Sequence, residues 1–140
     1  MRDIPELEEV AKIVPELTDN QLKAEIESLD AEGVLKRIFV GIEEAFLPEA
    51  AVDVTALIRF DIATDEGERN WTIAIDNGEC RATPGGAEGP RVIVKIAIAD
   101  FVRMVVGQVD PAQLFSNGNL EVGGDMMFAM QALGFFRRDF

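Results

Sequence analysis

Apolar residues recur three or four positions apart along residues 30–48, which is the spacing of one face of a helix. These residues are Leu35, Ile38, Phe39, Ile42 and Phe46. Charged residues fill the positions between them, and Pro48 cannot continue a helix. The pattern predicts an amphipathic helix that ends before Pro48.

The preceding segment is more polar. It predicts two short helices, one near 5–14 and one that begins at a Thr18-Asp19 cap and ends near Ser28. Their apolar faces are narrow, so we expect them to pack on the domain without defining it. This predicts an acidic helical N-terminal extension over 1–29 that is dispensable for folding, followed by the main domain over 30–140.

Strict alternation of apolar and polar residues begins at position 52 and predicts half-buried strands. The apolar positions of the first strand are Val52, Val54, Ala56, Ile58, Phe60 and Ile62, with Asp53, Thr55, Arg59 and Asp61 facing the other way. After a polar turn over 64–70, Trp71, Ile73 and Ile75 continue the pattern. Asn77-Gly78 is typical of a type I′ hairpin, which leads into a third strand at Cys80 and Ala82. A fourth strand is predicted over 91–98.

The rest of the chain is mostly helical in pattern. Asp100 is predicted to cap a helix that ends at Gly107, and Asp110-Pro111 to begin another that ends at Asn117-Gly118. A short strand at Leu120 and Val122 follows. The last helix begins after Gly123-Gly124-Asp125 and has Met126, Met127, Met130 and Leu133 on its apolar side. The order of helix, four strands, two helices, strand and helix indicates an α+β domain.

Composition limits the function classes. At 140 residues, with 48% hydrophobic and 28% charged residues, the chain is expected to form one water-soluble domain. No apolar run approaches the roughly 18 residues of a spanning helix, so stable membrane insertion is not expected. The N-terminus lacks the apolar centre of a signal peptide, so we expect a cytoplasmic location. A net charge of −13 disfavours nucleic acid and anionic lipid surfaces.

The residues that usually carry catalysis are scarce. The sequence has no His and no Tyr, and Cys80 stands alone, so we expect no enzyme activity, no catalytic residue, no metal site and no cofactor. The glycine-rich stretch 84–90 lacks the Lys-Ser/Thr ending of a phosphate loop and is expected to be a plain loop. Methionine is flexible, so Met126, Met127 and Met130 either fill a core or line a surface that fits varied apolar shapes.

One run of residues resembles the sterol carrier protein 2 (SCP2) family of lipid-binding domains. The run consists of Asp100-Phe101, Gly107, Asp110-Pro111, Phe115, Gly118, Leu120, Gly124-Asp125 and Ala129-Met130. The resemblance extends upstream through Asp53 to Phe60, Trp71 and Asn77-Gly78. It implies a five-stranded, mainly antiparallel sheet with helices packed on one face around an apolar tunnel.

The resemblance also implies which residues bind the ligand. They are Trp71, Ile73, Phe101, Met104, Val105, Leu114, Phe115, Met126, Met127, Met130 and Leu133. The implied function is non-catalytic binding, shielding or transfer of a sterol, fatty acyl chain, acyl-CoA or other lipid. An accessory or scaffolding subunit of an enzyme, with a vestigial pocket, is the alternative. The ending Arg137-Arg138-Asp139-Phe140 lacks a peroxisomal signal, which favours a cytoplasmic bacterial member, and a homodimer is left open.

Overall fold

The fold consists of a five-stranded sheet and five helices in the part of the chain that the structure describes, residues 16–136 of the computed structural model. The elements are α1 (Asp19–Leu29), α2 (Ala31–Ala45), a 3-10 turn (Pro48–Ala50), β1 (Thr55–Thr64), β2 (Gly67–Asp76), β3 (Glu79–Pro84), β4 (Val92–Ala97), α3 (Ile98–Val105), α4 (Pro111–Ser116), β5 (Leu120–Gly124), α5 (Met126–Ala132) and a second 3-10 turn (Leu133–Phe135). The helix predicted over 5–14 lies outside the described residues.

The strands lie in the order β3-β2-β1-β4-β5. Three of the four neighbouring pairs are antiparallel, and β1 and β4 are parallel, with Ile58 opposite Val92 and Ile62 opposite Ile96. The crossover from β3 brings β4 alongside β1, so the sheet is mixed but mostly antiparallel. The predicted α+β class and sheet are confirmed.

Helix α1 packs more deeply than its polar sequence suggests. Thr18 and Gln21 form a reciprocal capping box, in which each backbone N–H donates to the other side chain. Leu22 and Ile26, one turn apart, are buried in the same core as the sheet. Arg103 of α3 donates through Nη2 to the backbone carbonyl of Leu17 at 2.8 Å. A narrow apolar face is therefore enough to bring α1 into the core.

The hairpins set the strand ends. Asn77 and Gly78 have φ values of 46° and 88°, as the type I′ prediction requires. Strands β1 and β2 extend further than predicted, with Thr64 opposite Gly67, so the turn over 64–70 contracts to two residues. The start of β1 is also later than predicted. Val52 is 62% exposed because Asp53 has a φ of 63° and interrupts the extended chain.

The outer face of the sheet is partly covered by the glycine-rich loop after β3. Thr72 donates through Oγ1 to the carbonyl of Gly85 at 2.7 Å and accepts from the Ala87 N–H. Beside this loop the carboxylate of Asp61 is buried and accepts from Arg59 at 2.8 Å and Asn70 at 2.7 Å. Asp61 thus faces away from the helices, as alternation predicts. Its carboxylate is buried and not solvated, and the hydrogen bonds from Arg59 and Asn70 compensate for the lost water.

The helices after β4 begin and end close to the predicted positions, with one correction. Helix α3 starts at Ile98, and Asp100 lies in its first turn and is not the cap, because β4 passes into the helix directly at Ala97. Gly107 follows α3 with a φ of 82°. Asp110 caps α4 by accepting from the Ala112 N–H at 2.9 Å.

Candidate functional site: an apolar cavity between the sheet and α3 to α5

A cavity of about 500 Å³ lies between the inner face of the sheet and the helices of the C-terminal half. Strands β1, β2, β4 and β5 form its floor, and α3, α4 and α5 form its walls together with the end of α2. Its lining residues are Ile42, Ala45, Ile58, Phe60, Ile73, Val92, Val94, Phe101, Met104, Val105, Gly107, Pro111, Ala112, Phe115, Ser116, Leu120, Val122, Met126, Ala129, Met130, Ala132 and Phe136. The volume falls within the range usual for small-molecule sites.

The floor of the cavity follows from strand alternation. Ile58 and Phe60 of β1 lie opposite Val92 and Val94 of β4, and all four side chains point to the same face. The ring of Phe60 lies 5.7 Å from that of Phe101 on α3, measured between centroids. These two rings join the floor to the wall at the side nearest the core.

The closing helix α5 is fixed at its N-terminal end. The Asp125 carboxylate accepts from the Phe128 N–H at 3.0 Å and from Arg91 Nε at 3.1 Å. The Asp125 N–H donates to the Arg91 carbonyl, and the guanidinium lies 4.0 Å from the centre of the Phe128 ring. The hydrogen bond from the Phe128 N–H is the largest cause that lowers the pKa of Asp125 below its ordinary value, and the hydrogen bond from Arg91 is the next. A Cβ at Gly124 would collide with the Arg91 carbonyl, so only glycine fits this approach.

The segment that follows α5 is attached to the segment that follows α2. The Leu47 N–H donates to the Phe135 carbonyl at 2.7 Å, and Phe46 forms an isolated bridge with Phe136. The rings of Phe46 and Phe136 are 5.6 Å apart. Attachment at both ends holds the residues between them, including Ala129 and Met130, over the cavity.

Most of the side chains predicted to contact ligand converge on this cavity. Ile73, Phe101, Met104, Val105, Phe115, Met126 and Met130 all line it. Phe115, Met126 and Met130 are also 48%, 41% and 64% exposed, so they lie at its mouth and not at its centre. The side chain of Leu133 lies outside the described residues.

Three predicted ligand residues do not line the cavity. Trp71 lies under α2, where its ring stacks on Phe39 at 4.7 Å and its Nε1 donates to Glu32. Leu114 is buried in the core, because Pro111 and Phe115 occupy the cavity face of α4.

Met127 is the third of these residues and is 84% exposed. Met126, Ala129 and Met130 share the helix face that lies over the cavity, and Met127 falls about 100° from Met126 around the axis. Met127 therefore projects outward.

The residues that the sequence analysis missed are mainly those of the sheet floor and the small residues of α5. Ile58, Phe60, Val92 and Val94 carry a clear signal, since alternation places them on the same face as Ile73. Ala129 and Ala132 carry none, because an alanine in a helix fits a core and a cavity wall equally well. Alternation gives the face but not which part of that face a helix leaves uncovered.

The lining offers almost no polar chemistry. Among the described side chains that line the cavity, only Ser116 is polar and none is charged. Cys80 lies on β3 away from the cavity, and burial, followed by the nearby Glu43 carboxylate, raises its pKa to about 12. Because the thiol is protonated at neutral pH, it is a poor nucleophile. Within residues 16–136 no group of three or more metal-ligating side chains is suited to a metal ion.

A second cavity beside α1 is smaller, at about 150 Å³, and more polar. Glu27, Asp65 and Glu66 line part of it. The pKa of Glu27 is raised mainly by a hydrogen bond with Asp65 and next by the negative charge of Asp65. Its size and acidic lining do not suit an apolar ligand.

No helix in the described part of the chain is both long and apolar enough to cross a membrane.

Comparison with known proteins agrees with this geometry. The model of the SCP-2 sterol transfer family matches residues 35–137. The chain belongs to this family. The predicted resemblance is thereby confirmed, and the cavity occupies the part of the chain that the family model covers.

Relatives of this family member occur as small proteins and as parts of larger ones. The oleate-induced peroxisomal protein POX18 of Candida maltosa is 28% identical over 84% of this chain and 94% of its own length. The hydroxysteroid dehydrogenase-like protein 2 of Xenopus tropicalis is 27% identical over 78% of this chain, which spans only 26% of that protein. The solution structure of palmitated SCP2L2 from Aedes aegypti has a TM-score of 0.58 at 19% identity, covering 76% of this chain and 94% of that one.

Proposed function

We propose that the protein binds one lipid in the cavity of about 500 Å³ and shields or transfers it without chemical change. The observation that carries this proposal is the lining, in which apolar side chains enclose the space and no described charged group enters it. Membership of the SCP-2 sterol transfer family supports lipid binding in general. The relative solved as palmitated SCP2L2 supports an acyl chain as one ligand class.

The energetics favour a hydrocarbon ligand. Each buried methylene contributes about 0.8 kcal/mol, so a dozen contribute roughly 10 kcal/mol before ordering costs, enough for micromolar binding. Within residues 16–136, a polar headgroup inside the cavity would have only Ser116 as a side-chain partner. Because an unpaired polar group is costly to bury, the headgroup is expected at the mouth, near Phe115 and Met130.

The absence of catalysis is part of the proposal. Among the described residues, the cavity presents no acid, base or thiol to a bound lipid. The alternative is an accessory domain whose pocket is vestigial, and it draws support from the match to a quarter of a dehydrogenase-like protein. The two proposals differ in whether the isolated chain binds lipid.

A titration with a fluorescent fatty acid tests the proposal. Ala129 lines the cavity, so Ala129→Trp fills part of it without adding charge and is expected to weaken binding about tenfold or more. Ala24→Trp, at an exposed position of α1, is the matched control and should bind as the unmodified chain does. Equal affinity in both variants would mean that the probe binds elsewhere.

Two further experiments identify the ligand and locate the protein in the cell. Mass spectrometry of lipids extracted from the protein purified from its own source distinguishes sterol, fatty acid and acyl-CoA. We propose a cytoplasmic location, which fractionation of the source cells tests directly. Recovery of the protein with a lipid-metabolising enzyme but without lipid would favour the accessory role.

A further inference from the structure

Helix α4 presents one polar side chain to the cavity. Its lining residues are Pro111, Ala112, Phe115 and Ser116. Because residues four apart on a helix lie one above the other, these four form two neighbouring rows. Ser116 ends the second row, one turn after Ala112, and is the last residue of the helix. The cavity therefore meets a hydroxyl group at the end of α4.

Ser116 lies at the mouth of the cavity and not in its interior. Its side chain is exposed, like that of the preceding residue, Phe115. Met130 of α5, which also lines the cavity, is exposed as well. The most deeply buried lining residues include Ile73 and Phe101, with exposed fractions of 1% and 0%. One end of the cavity thus has a hydroxyl group, and its interior is apolar.

The hydroxyl of Ser116 is open to a ligand. A serine in a helix often donates to the carbonyl four residues earlier, which here is that of Ala112. Within residues 16–136, however, no residue forms a hydrogen bond with the Ser116 hydroxyl. The group can therefore both donate a hydrogen bond and accept one.

Two arginines are the alternative partners of a headgroup. Arg137 and Arg138 directly follow Phe136, which lines the cavity, and they lie outside the described residues. A guanidinium favours an anionic headgroup, whereas a serine hydroxyl bonds to a neutral or an ionised oxygen. The charge of the headgroup therefore distinguishes the two kinds of partner.

We propose that Ser116 binds the oxygen headgroup of the lipid, a terminal hydroxyl or carboxyl, and so directs the hydrocarbon chain inward toward Ile73 and Phe101. This deepens the proposed function, on which it rests. Ser116 is the one polar side chain among the described lining residues. A headgroup at the cavity floor would lose its hydrogen bonds to water without replacement, so the opposite orientation is disfavoured.

Displacement of a fluorescent fatty acid by dodecanol, dodecanoic acid and dodecane tests this, because the three probes share a chain and differ at one end. The affinity of the fluorescent fatty acid is measured separately for each variant. Ser116→Ala should lower the affinity for dodecanol and dodecanoic acid about fivefold, which corresponds to one hydrogen bond, and leave that for dodecane unchanged. Ser116→Thr keeps the hydroxyl and should retain the affinity for all three.

Gln113→Ala is the matched control, since Gln113 is an exposed polar residue of the same helix that does not line the cavity. It should leave all three affinities unchanged. The double variant Arg137→Gln, Arg138→Gln should leave the affinity for dodecanol unchanged. In NMR, the methyl end of bound dodecanol should contact Ile73.

Any of three results would overturn the proposal. They are an equal loss of affinity for dodecane in Ser116→Ala, no loss for dodecanol in that variant, or contact of the methyl end of dodecanol with Met130 in place of Ile73. A loss for dodecanoic acid in the arginine variant but not in Ser116→Ala would assign the headgroup to the arginines. If none of the three probes displaced the fatty acid from the unmodified chain, the proposed function itself would fail, and this proposal with it.

Discussion

At the scale of single residues, the position of a side chain within its element decides its role more than its chemical type does. Met126, Met127 and Met130 were predicted as one set from their composition and spacing. The structure separates them, because the helical rotation places Met126 and Met130 at the cavity and Met127 in solvent. Trp71 and Ile73 share a strand face, yet one lies under α2 and the other in the cavity floor.

The Cys80 thiol is expected to be unreactive in the folded protein. Its pKa is raised to about 12 by burial and by the Glu43 carboxylate, so almost no thiolate is present at pH 8. Titration followed by thiolate absorbance should show no ionisation up to about pH 10, more than a unit above the ordinary value. Glu43→Gln should lower the pKa of Cys80, since the second cause is removed.

Cys80→Ser should also leave fatty-acid binding unchanged, because Cys80 does not line the cavity. Loss of binding in a variant whose circular dichroism matches the unmodified chain would assign the thiol a role that the geometry does not give it.

At the scale of elements, α5 depends on one ionised carboxylate at its start. Asp125 accepts from the Phe128 N–H and from Arg91, and both lower its pKa. A lowered pKa means that the carboxylate stabilises the fold above its ordinary pKa of about 3.9 and that this contribution is lost as the pH falls through the lowered value.

Arg91→Gln is expected to raise the pKa of Asp125 toward the ordinary value, which carboxyl NMR measures directly. In Asp125→Asn the loss of stability relative to the unmodified chain should be constant at pH 5–7 and should shrink below about pH 4. An unchanged pKa in Arg91→Gln would show that the pair at 3.1 Å does not form in solution.

Helix α1 gives the clearest difference between sequence and structure at this scale. Its few apolar residues predicted a dispensable extension, whereas Leu22 and Ile26 are buried in the core. A chain starting at Asp30 is therefore expected to lose roughly 3–6 kcal/mol of unfolding free energy, at about 1.5–3 for each buried aliphatic side chain. Urea denaturation measures this.

Point variants locate that effect. Leu22→Ala should cost about 2–5 kcal/mol, and Ala24→Ser, at an exposed position of the same helix, less than about 0.5. If the shortened chain unfolded at the same urea concentration as the full one, the predicted extension over 1–29 would be dispensable after all.

At the scale of the whole molecule, the sequence predicted the order of elements and the sheet, because periods of two and 3.6 residues are local properties. The Asn77-Gly78 hairpin and the Asp110 cap were predicted because the residue preferences of turns and helix caps are also local. The cavity could not be derived in this way. Its existence depends on where α3 to α5 leave the inner face uncovered, and that depends on contacts such as Leu47 with Phe135 that are distant in sequence.

The central claim is that an apolar ligand lies inside this cavity, and NMR of the protein with methyl-labelled methionine and isoleucine tests it most directly. On addition of one equivalent of a fatty acid, the methyl groups of Ile73, Met104 and Met130 should shift and show contacts with the ligand chain, because these residues line the cavity. Met127, which projects into solvent, should show none. The protein is used at tens of micromolar, where a micromolar site would be largely occupied. Either of two results would contradict the claim: ligand contacts confined to Met127, or no shift at all.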